Sequence, residues 1–179
     1  ATAASFGGTI TLAGNTSIGL SSGSIALNGN IGETGGVRAL SLVGTGTLLL
    51  GGSSSYSGIT TLSSATNLRA DTTTALSAGS QLDTWFSVFD TATLTLAAAG
   101  SHTMSNLNLC GVLRVAGPAS GSATLTFTNG GAVNSSNDRN VTVGPNATVI
   151  FGSTVGGSFF TGSATAARVI GLTGAGNIV

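Results

Sequence analysis

The chain has 179 residues, 41% of them apolar and 6% charged, with five arginines, no lysine and a formal net charge of zero. That length suffices for one domain with a sizeable core, while the charged fraction falls far below the roughly 25% of an average globular chain. Such a balance leaves nothing to hold a phosphate backbone, which argues against nucleic-acid binding, and no apolar run reaches the roughly 18 residues that a membrane-spanning helix needs.

The opening ATAAS is made of small residues of the kind left after signal cleavage, which would make Ala1 a mature N-terminus. Period-two alternation follows. GTITLAG places Ile10 and Leu12 on one face and Thr9 and Thr11 on the other, and GSIALNG does the same with Ile25 and Leu27. In VRALSLVG, Val37, Ala39, Ser41 and Val43 alternate with Arg38, Leu40 and Leu42. The stretch Gly44–Ala70 carries no charge before Arg69 and packs Leu48, Leu49 and Leu50 between glycines and serines. TTTALSAGSQL, Thr72–Leu82, is the best helix candidate, yet Gly79 interrupts it and three β-branched threonines open it. Further short strands are read in TATLTLA, SNLNLCG, GVLRVAG, SATLTFTNG, NVTVGP and ATVIFG, each ended by Gly, Asn, Pro or Ser.

Short strands alone fit a sandwich, a barrel or a solenoid, and internal similarity favours the solenoid. Ser5–Ile18 aligns without a gap on Ser55–Leu68, matching Leu12 to Leu62, Thr16 to Thr66 and Ile18 to Leu68. Gly171–Val179 aligns on Ser41–Leu49, matching Leu172 to Leu42, Gly174 to Gly44, Gly176 to Gly46 and Ile178 to Leu48. The two chain ends thus read as halves of one unit. Units of this kind bury their apolar face by stacking. At about 20–25 residues per coil, the expectation is about seven to nine coils in one β-solenoid spanning 1–179 without a separate cap, a rod on the order of 40 Å long. Leu and Ile would point inward in ladders, Ser and Thr outward.

The unit Gly44–Ala70 resembles the passenger-associated transport repeat of bacterial autotransporters, with Gly44, Gly46, Leu48, Leu50, Gly52, Tyr56, Gly58 and Thr60 in the order of that pattern. It departs at Ser54, where the family usually has Asn, and at Ile59, where it often has Gly. The resemblance implies an all-β, right-handed parallel β-helix exposed outside a bacterial cell; it does not imply the export barrel.

Candidate chemistry is sparse. The acids are Glu33, Asp71, Asp83, Asp90 and Asp138, and only Asp83 and Asp90 lie close together; solvated turns or strand ends are their expected places. His102 is the sole histidine and Cys110 the sole cysteine, so no metal site, disulfide or catalytic triad is expected. No catalytic residue and no cofactor are expected. Cys110, in LNLCGVL, reads as a buried small apolar residue. LDTWFSVFD is apolar on both faces through Trp85, Phe86 and Phe89, and adjacent Phe159 and Phe160 cannot both point inward, so these residues are candidates for lateral contact between molecules. Sequons begin at Asn15, Asn134, Asn140 and Asn146. Thr91-x-Thr93-x-Thr95 and Thr124-x-Thr126-x-Thr128 suggest ladders for ice or surface glycans.

The leading expectation is a structural protein rather than an enzyme: solenoid subunits stacked head to tail into an extracellular, cell-surface filament. The partner is then the protein itself, with no nucleic acid and no membrane insertion. Joints would form between Ala1, Ser5, Phe6 and Gly8 of one copy and Gly174, Gly176, Ile178 and Val179 of the next. The rival reading is a passenger segment of a larger adhesin.

Overall fold

Branched and apolar residues alternate in short runs broken by glycine, and the described runs pair with equivalent runs one coil away. The computed structural model describes residues 4–84, 90–129, 131–133, 139–152, 160–162 and 170–179, with the backbone alone for 131–133, 139, 160–162 and 170–173. Every regular element among them is a strand, and every strand pairing is parallel. The protein is a parallel β-solenoid. The helix candidate at Thr72–Leu82 is instead a series of turns and bends entering a strand.

Each coil has three sides. The first sheet stacks eight strands: Ala4–Phe6, Ser24–Leu27, Thr47–Leu50, Asn67–Ala70, Thr91–Leu96, Val112–Ala116, Arg139–Val143 and Ile170–Gly174. The second stacks seven: Thr16–Gly19, Leu40–Val43, Thr60–Leu62, Leu82–Thr84, Leu107–Leu109, Gly131–Val133 and Phe160–Gly162. The third side is split. Ile10–Leu12 pairs with Ile31–Glu33 at one end, and Gly100–Met104, Ala123–Phe127, Ala147–Phe151 and Asn177–Ile178 stack at the other. The turns at 71–80 occupy the gap.

The seven strands of the second sheet are separated by six turns of the chain, slightly fewer than the seven to nine coils expected. The reason is coil length. Leu40 pairs with Thr60, 20 residues on, but Gly131 pairs with Phe160, 29 residues on. Later coils are longer, so the chain is used up sooner.

Inward positions form columns. Leu48, Leu68, Leu94, Val115 and Val143 align in the first sheet, and all are buried. Leu42, Leu50, Leu62, Leu96, Leu107, Leu109 and Val141, also expected inside, are buried too. On the third side Phe127 lies over Phe151 with ring centroids 5.6 Å apart and planes 15° apart, an offset stack that adds to area burial.

The columns are not purely apolar, which corrects the expectation that hydroxyls face outward. Thr60 sits between Leu40 and Leu82, and Thr84 between Leu62 and Leu109, both fully buried. Their hydroxyls are satisfied locally. Ser80 Oγ donates to Gly58 O at 2.6 Å, which commits its proton. Thr60 Oγ1 lies 2.7 Å from Ser80 Oγ and 2.8 Å from Tyr56 Oη, so the chain of donation runs Tyr56 to Thr60 to Ser80. Ser77 Oγ donates to Tyr56 O. Burial pushes the Tyr56 phenol up to about 12, against the opposing hydrogen bond to Thr60. Thr84 Oγ1 accepts from the amides of Cys110 and Gly111 at 3.0 and 3.3 Å, and Cys110 is buried and in no disulfide.

Two substitutions test this account by denaturant unfolding. Thr60→Val keeps the shape but strands the Tyr56 hydroxyl in the core, and stability should fall by about 2 kcal/mol. Ala65 holds a left-handed φ of 60° at the corner before Asn67–Ala70. Ala65→Gly should therefore raise stability, by about 1 kcal/mol.

Candidate functional site: the open ends and the axial groove

At one end the edge strand of the first sheet is Ala4–Phe6, exposed throughout. Phe6 O accepts from Asn28 N at 2.8 Å. Successive residues of a strand direct their amide groups to opposite sides, so the Ser5 N–H and C=O point away from the coil below. Phe6 occupies the inward column above Leu27 and Leu50, yet it is 51% exposed, because no described coil covers it. Its ring folds over Gly8: a Cβ there would stand 2.8 Å from Phe6 Cζ. Ile10 and Ile18, on the other two sides of this coil, are also only partly buried.

At the other end Asn177–Ile178 pairs with Ala147–Phe151. Val179 N donates to Val149 O at 2.9 Å and Val179 O accepts from Phe151 N at 3.0 Å. The Ile178 amide group therefore faces the open side. Ile178 continues the inward column of Leu125 and Val149, and Val179 is 70% exposed.

The split motif takes a different meaning in three dimensions. Leu42 lies in the second sheet and Leu48 in the first, whereas Leu172 lies in the first and Ile178 on the third side. Leu12 and Leu62, and likewise Ile18 and Leu68, fall on different sides. The aligned residues are thus shifted by one side of the coil, and they do not form halves of one structural unit. What they share is a corner. Gly44 (φ +96°) and Gly46 pass directly over Leu20, and Gly174 (φ +125°) and Gly176 directly over Val143 and Gly144. A Cβ at Gly44 or Gly174 would overlap a carbonyl oxygen of the coil below. In both corners the second glycine's amide donates to that coil, Gly46 N to Leu20 O at 2.8 Å and Gly176 N to Val143 O at 3.0 Å. Gly-x-Gly is the signature of a tight corner rather than of a position along the solenoid.

Ala1, Trp85, Phe86, Phe89 and Phe159 lie outside the described residues, as do Asp138 and Asn134, and Phe160 is described by its backbone alone. The threonine ladders are interrupted. Thr91, Thr93 and Thr95 pair with Val112, Arg114 and Ala116. Thr124 pairs with Thr148 and Thr126 with Thr103, but Thr124 meets Ser101 and Thr126 meets Ile150 on their other sides.

A groove crosses the coils beside the second sheet, with a volume of about 450 Å³. Its floor comes from the residues just before the strands: Asn15, Ala39, Ile59, Gln81 and Asn106. The ladder continues through them, since Thr16 N donates to Ala39 O, Leu40 N to Ile59 O, Thr60 N to Gln81 O and Leu82 N to Asn106 O, at 2.8–2.9 Å. Val37, Ser57 and Ser105 stand on the wall. Glu33 fixes that wall: its carboxylate accepts from Ser57 Oγ at 2.5 Å, Ser57 N at 3.0 Å and Arg38 N at 2.7 Å. These bonds, the Ser57 hydroxyl foremost, hold its pKa below the ordinary carboxylate value.

Amides couple the coils along the floor. Asn106 Nδ2 donates to Gln81 Oε1 at 2.9 Å, and Asn108 Nδ2 to Asp83 Oδ1 at 3.2 Å. Asp83 therefore lies mid-strand and buried rather than at a solvated turn, and among the described residues its side-chain partner is Asn108, not Asp90. Desolvation raises its pKa, against the opposing bond from Asn108. Asn108 Oδ1 is buried with no partner. His102 is buried in the third side, its Nε2 2.9 Å from Ala98 O and its Nδ1 unpartnered. Among the described residues no three His, Cys, Asp or Glu side chains converge on a metal-sized site, and no helix is long and apolar enough to cross a membrane.

Comparison with protein families, with curated proteins and with solved structures found no match for this chain.

Asp83 gives a signed pH prediction. Its folded pKa is raised, so the fold favours the protonated acid, and stability is lost as pH rises through the range between its unfolded and folded values. Asp83→Asn is neutral at every pH and carries an NH₂ that can serve Asn108 Oδ1. It should be more stable than the parent at pH 7, by about 1 kcal/mol, and the gap should close near pH 3. Urea unfolding at both pH values reads this, and a gap independent of pH would refute it.

Proposed function

We propose that the protein is a structural β-solenoid whose subunits stack head to tail into an extracellular, cell-surface filament. The observation that supports this is the pair of open ends. Each exposes sheet edges with backbone groups pointing outward, at Ser5 and at Ile178, and each leaves inward-column side chains uncovered, at Phe6 and at Ile178 with its neighbour Val179. Two of the three sides match in order. Ile170–Gly174 of one copy would pair with Ala4–Phe6 of the next and Asn177–Ile178 with Ile10–Leu12, while the second sheet, with seven strands described against eight in the first, would lack a strand at the joint. Such a contact is heterologous and does not close, so it grows a fibre. The resemblance of Gly44–Ala70 to an autotransporter passenger repeat supports an extracellular setting. Three of the acids, Glu33, Asp71 and Asp83, are engaged in hydrogen bonds or an ion pair, in keeping with a structural role.

Ser5→Pro and Ile178→Pro each remove an outward-facing donor while leaving the chain's own ladder intact. Purified parent protein should form rods longer than a single subunit in negative stain, in low and high salt alike given so few charges. Either proline variant should remain as single subunits. Filaments from both variants would move the joint to lateral surfaces. A parent that stays monomeric at high concentration would favour the rival reading, in which further coils of one longer adhesin chain cover these edges.

A further inference from the structure

We infer that the axial groove beside the second sheet is a binding site for an extended, neutral oligosaccharide. Three features converge on that class of ligand. The first is charge: the lining residues Asn15, Val37, Ser57, Ile59, Gln81 and Asn106 are all uncharged, as are the glycine, alanine and serine between them. An anionic polymer finds no cation there, and a cationic one finds no free carboxylate, since Glu33 is held from behind by Ser57 and Arg38.

The second feature is repeat. Asn15, Ala39, Ile59, Gln81 and Asn106 occupy the same register position in five successive coils. Coils are about 4.8 Å apart, so the floor offers one group per coil over about 19 Å. An extended chain of pyranose rings advances by a similar distance per ring, which lets successive rings meet equivalent positions. A peptide strand does not fit this arrangement, because it binds by adding to a free sheet edge, and here the backbone ladder is already closed from coil to coil.

The third feature is the mixture of surfaces. Val37 is 66% and Ile59 40% exposed, and both lie in the groove. They form an apolar strip of the size that the C–H face of a sugar ring covers. Flanking them are amides with unused capacity. Gln81 accepts from Asn106 through Oε1, and among the described residues its Nε2 has no partner. Asn15 accepts from Ala39 N through Oδ1, which leaves its Nδ2 likewise free. Amide donors beside an apolar strip fit a ligand with hydroxyls on its rim and carbon on its face. The hydrogen bonds from Asn106 to Gln81 and from Ala39 N to Asn15 hold the two amides in place before any ligand arrives, which lowers the entropy cost of binding.

Isothermal titration of the full chain with neutral hexasaccharides tests the inference: cellohexaose, xylohexaose, mannohexaose, maltohexaose and chitohexaose, with hexagalacturonate as the charged control. At least one neutral hexaose should bind with a Kd of about 1 mM or tighter, and its disaccharide should bind about tenfold more weakly or not at all. Gln81→Ala should weaken binding by about fivefold or more. Val37→Glu, a surface change that costs no core packing, should do the same by placing a charge in the groove. Cooperative thermal unfolding of both variants would show that the fold is retained. The inference fails if no neutral hexaose binds at millimolar concentration. It also fails if hexagalacturonate binds best, or if both variants bind as the parent does.

Discussion

Among the described strands, each interior one has its backbone satisfied by the coil before it and the coil after it rather than by a sequence neighbour folded back as a hairpin. That arrangement puts equivalent residues of successive coils about 4.8 Å apart. Inward positions must then tolerate their own kind above and below, which is why leucine and valine recur in columns such as Leu48, Leu68, Leu94, Val115 and Val143. Corners must let one backbone pass directly over another, which is why glycine recurs at Gly44, Gly46, Gly174 and Gly176. The composition of the chain, rich in small and apolar residues and poor in charge, is the consequence of stacking. Like charges repeated about every 4.8 Å would repel, and among the described residues Arg69 is paired with Asp71 at 2.6 Å.

The period-two pattern made the ladders legible in the sequence, because a residue's side depends only on its neighbours in one strand. It could not show which hydroxyls turn inward. Thr60 and Thr84 alternate like the outward threonines, and what admits them to the core is a partner from another coil or turn: Ser80 for Thr60, the Cys110 and Gly111 amides for Thr84. No local pattern carries that information. Sequence alignment of the ends failed for a related reason. Three-sided coils use the same corner device between different sides, so a match of Gly-x-Gly with flanking leucines fixes the local turn and leaves the side undetermined.

The groove was invisible for a different reason. Its floor residues are spaced 24, 20, 22 and 25 positions apart, and an irregular interval hides a strict spatial repeat. The coils differ in the number of residues between strands while the register of the strands is kept. Insertions of that kind are cheap, since loop-closure entropy rises only slowly with length. The solenoid can therefore keep one uniform face while its coils differ in length, and the uniform face is where a periodic ligand can be met.

The ends pose the opposite problem. Inside the chain, each coil-to-coil interface forms between segments that are already tethered. A joint between two molecules would offer the same kinds of contact, parallel ladders on two of the three sides and continuation of their inward columns, but without the tether. It must therefore offset the lost translational and rotational freedom, estimated at about 4–15 kcal/mol. Net hydrogen-bond contributions of about 0.5–1.5 kcal/mol each do not reach the upper part of that range for a few short edge strands. Apolar burial has to supply the remainder. Phe6 is the residue placed to provide it: an aromatic ring in an inward column, half-exposed and held over Gly8, at the point where the next coil would lie. A smaller side chain there would leave the hydrogen bonds of the joint unchanged and remove its largest apolar contact. On this reasoning the joint depends more on one aromatic ring than on the number of strands it aligns.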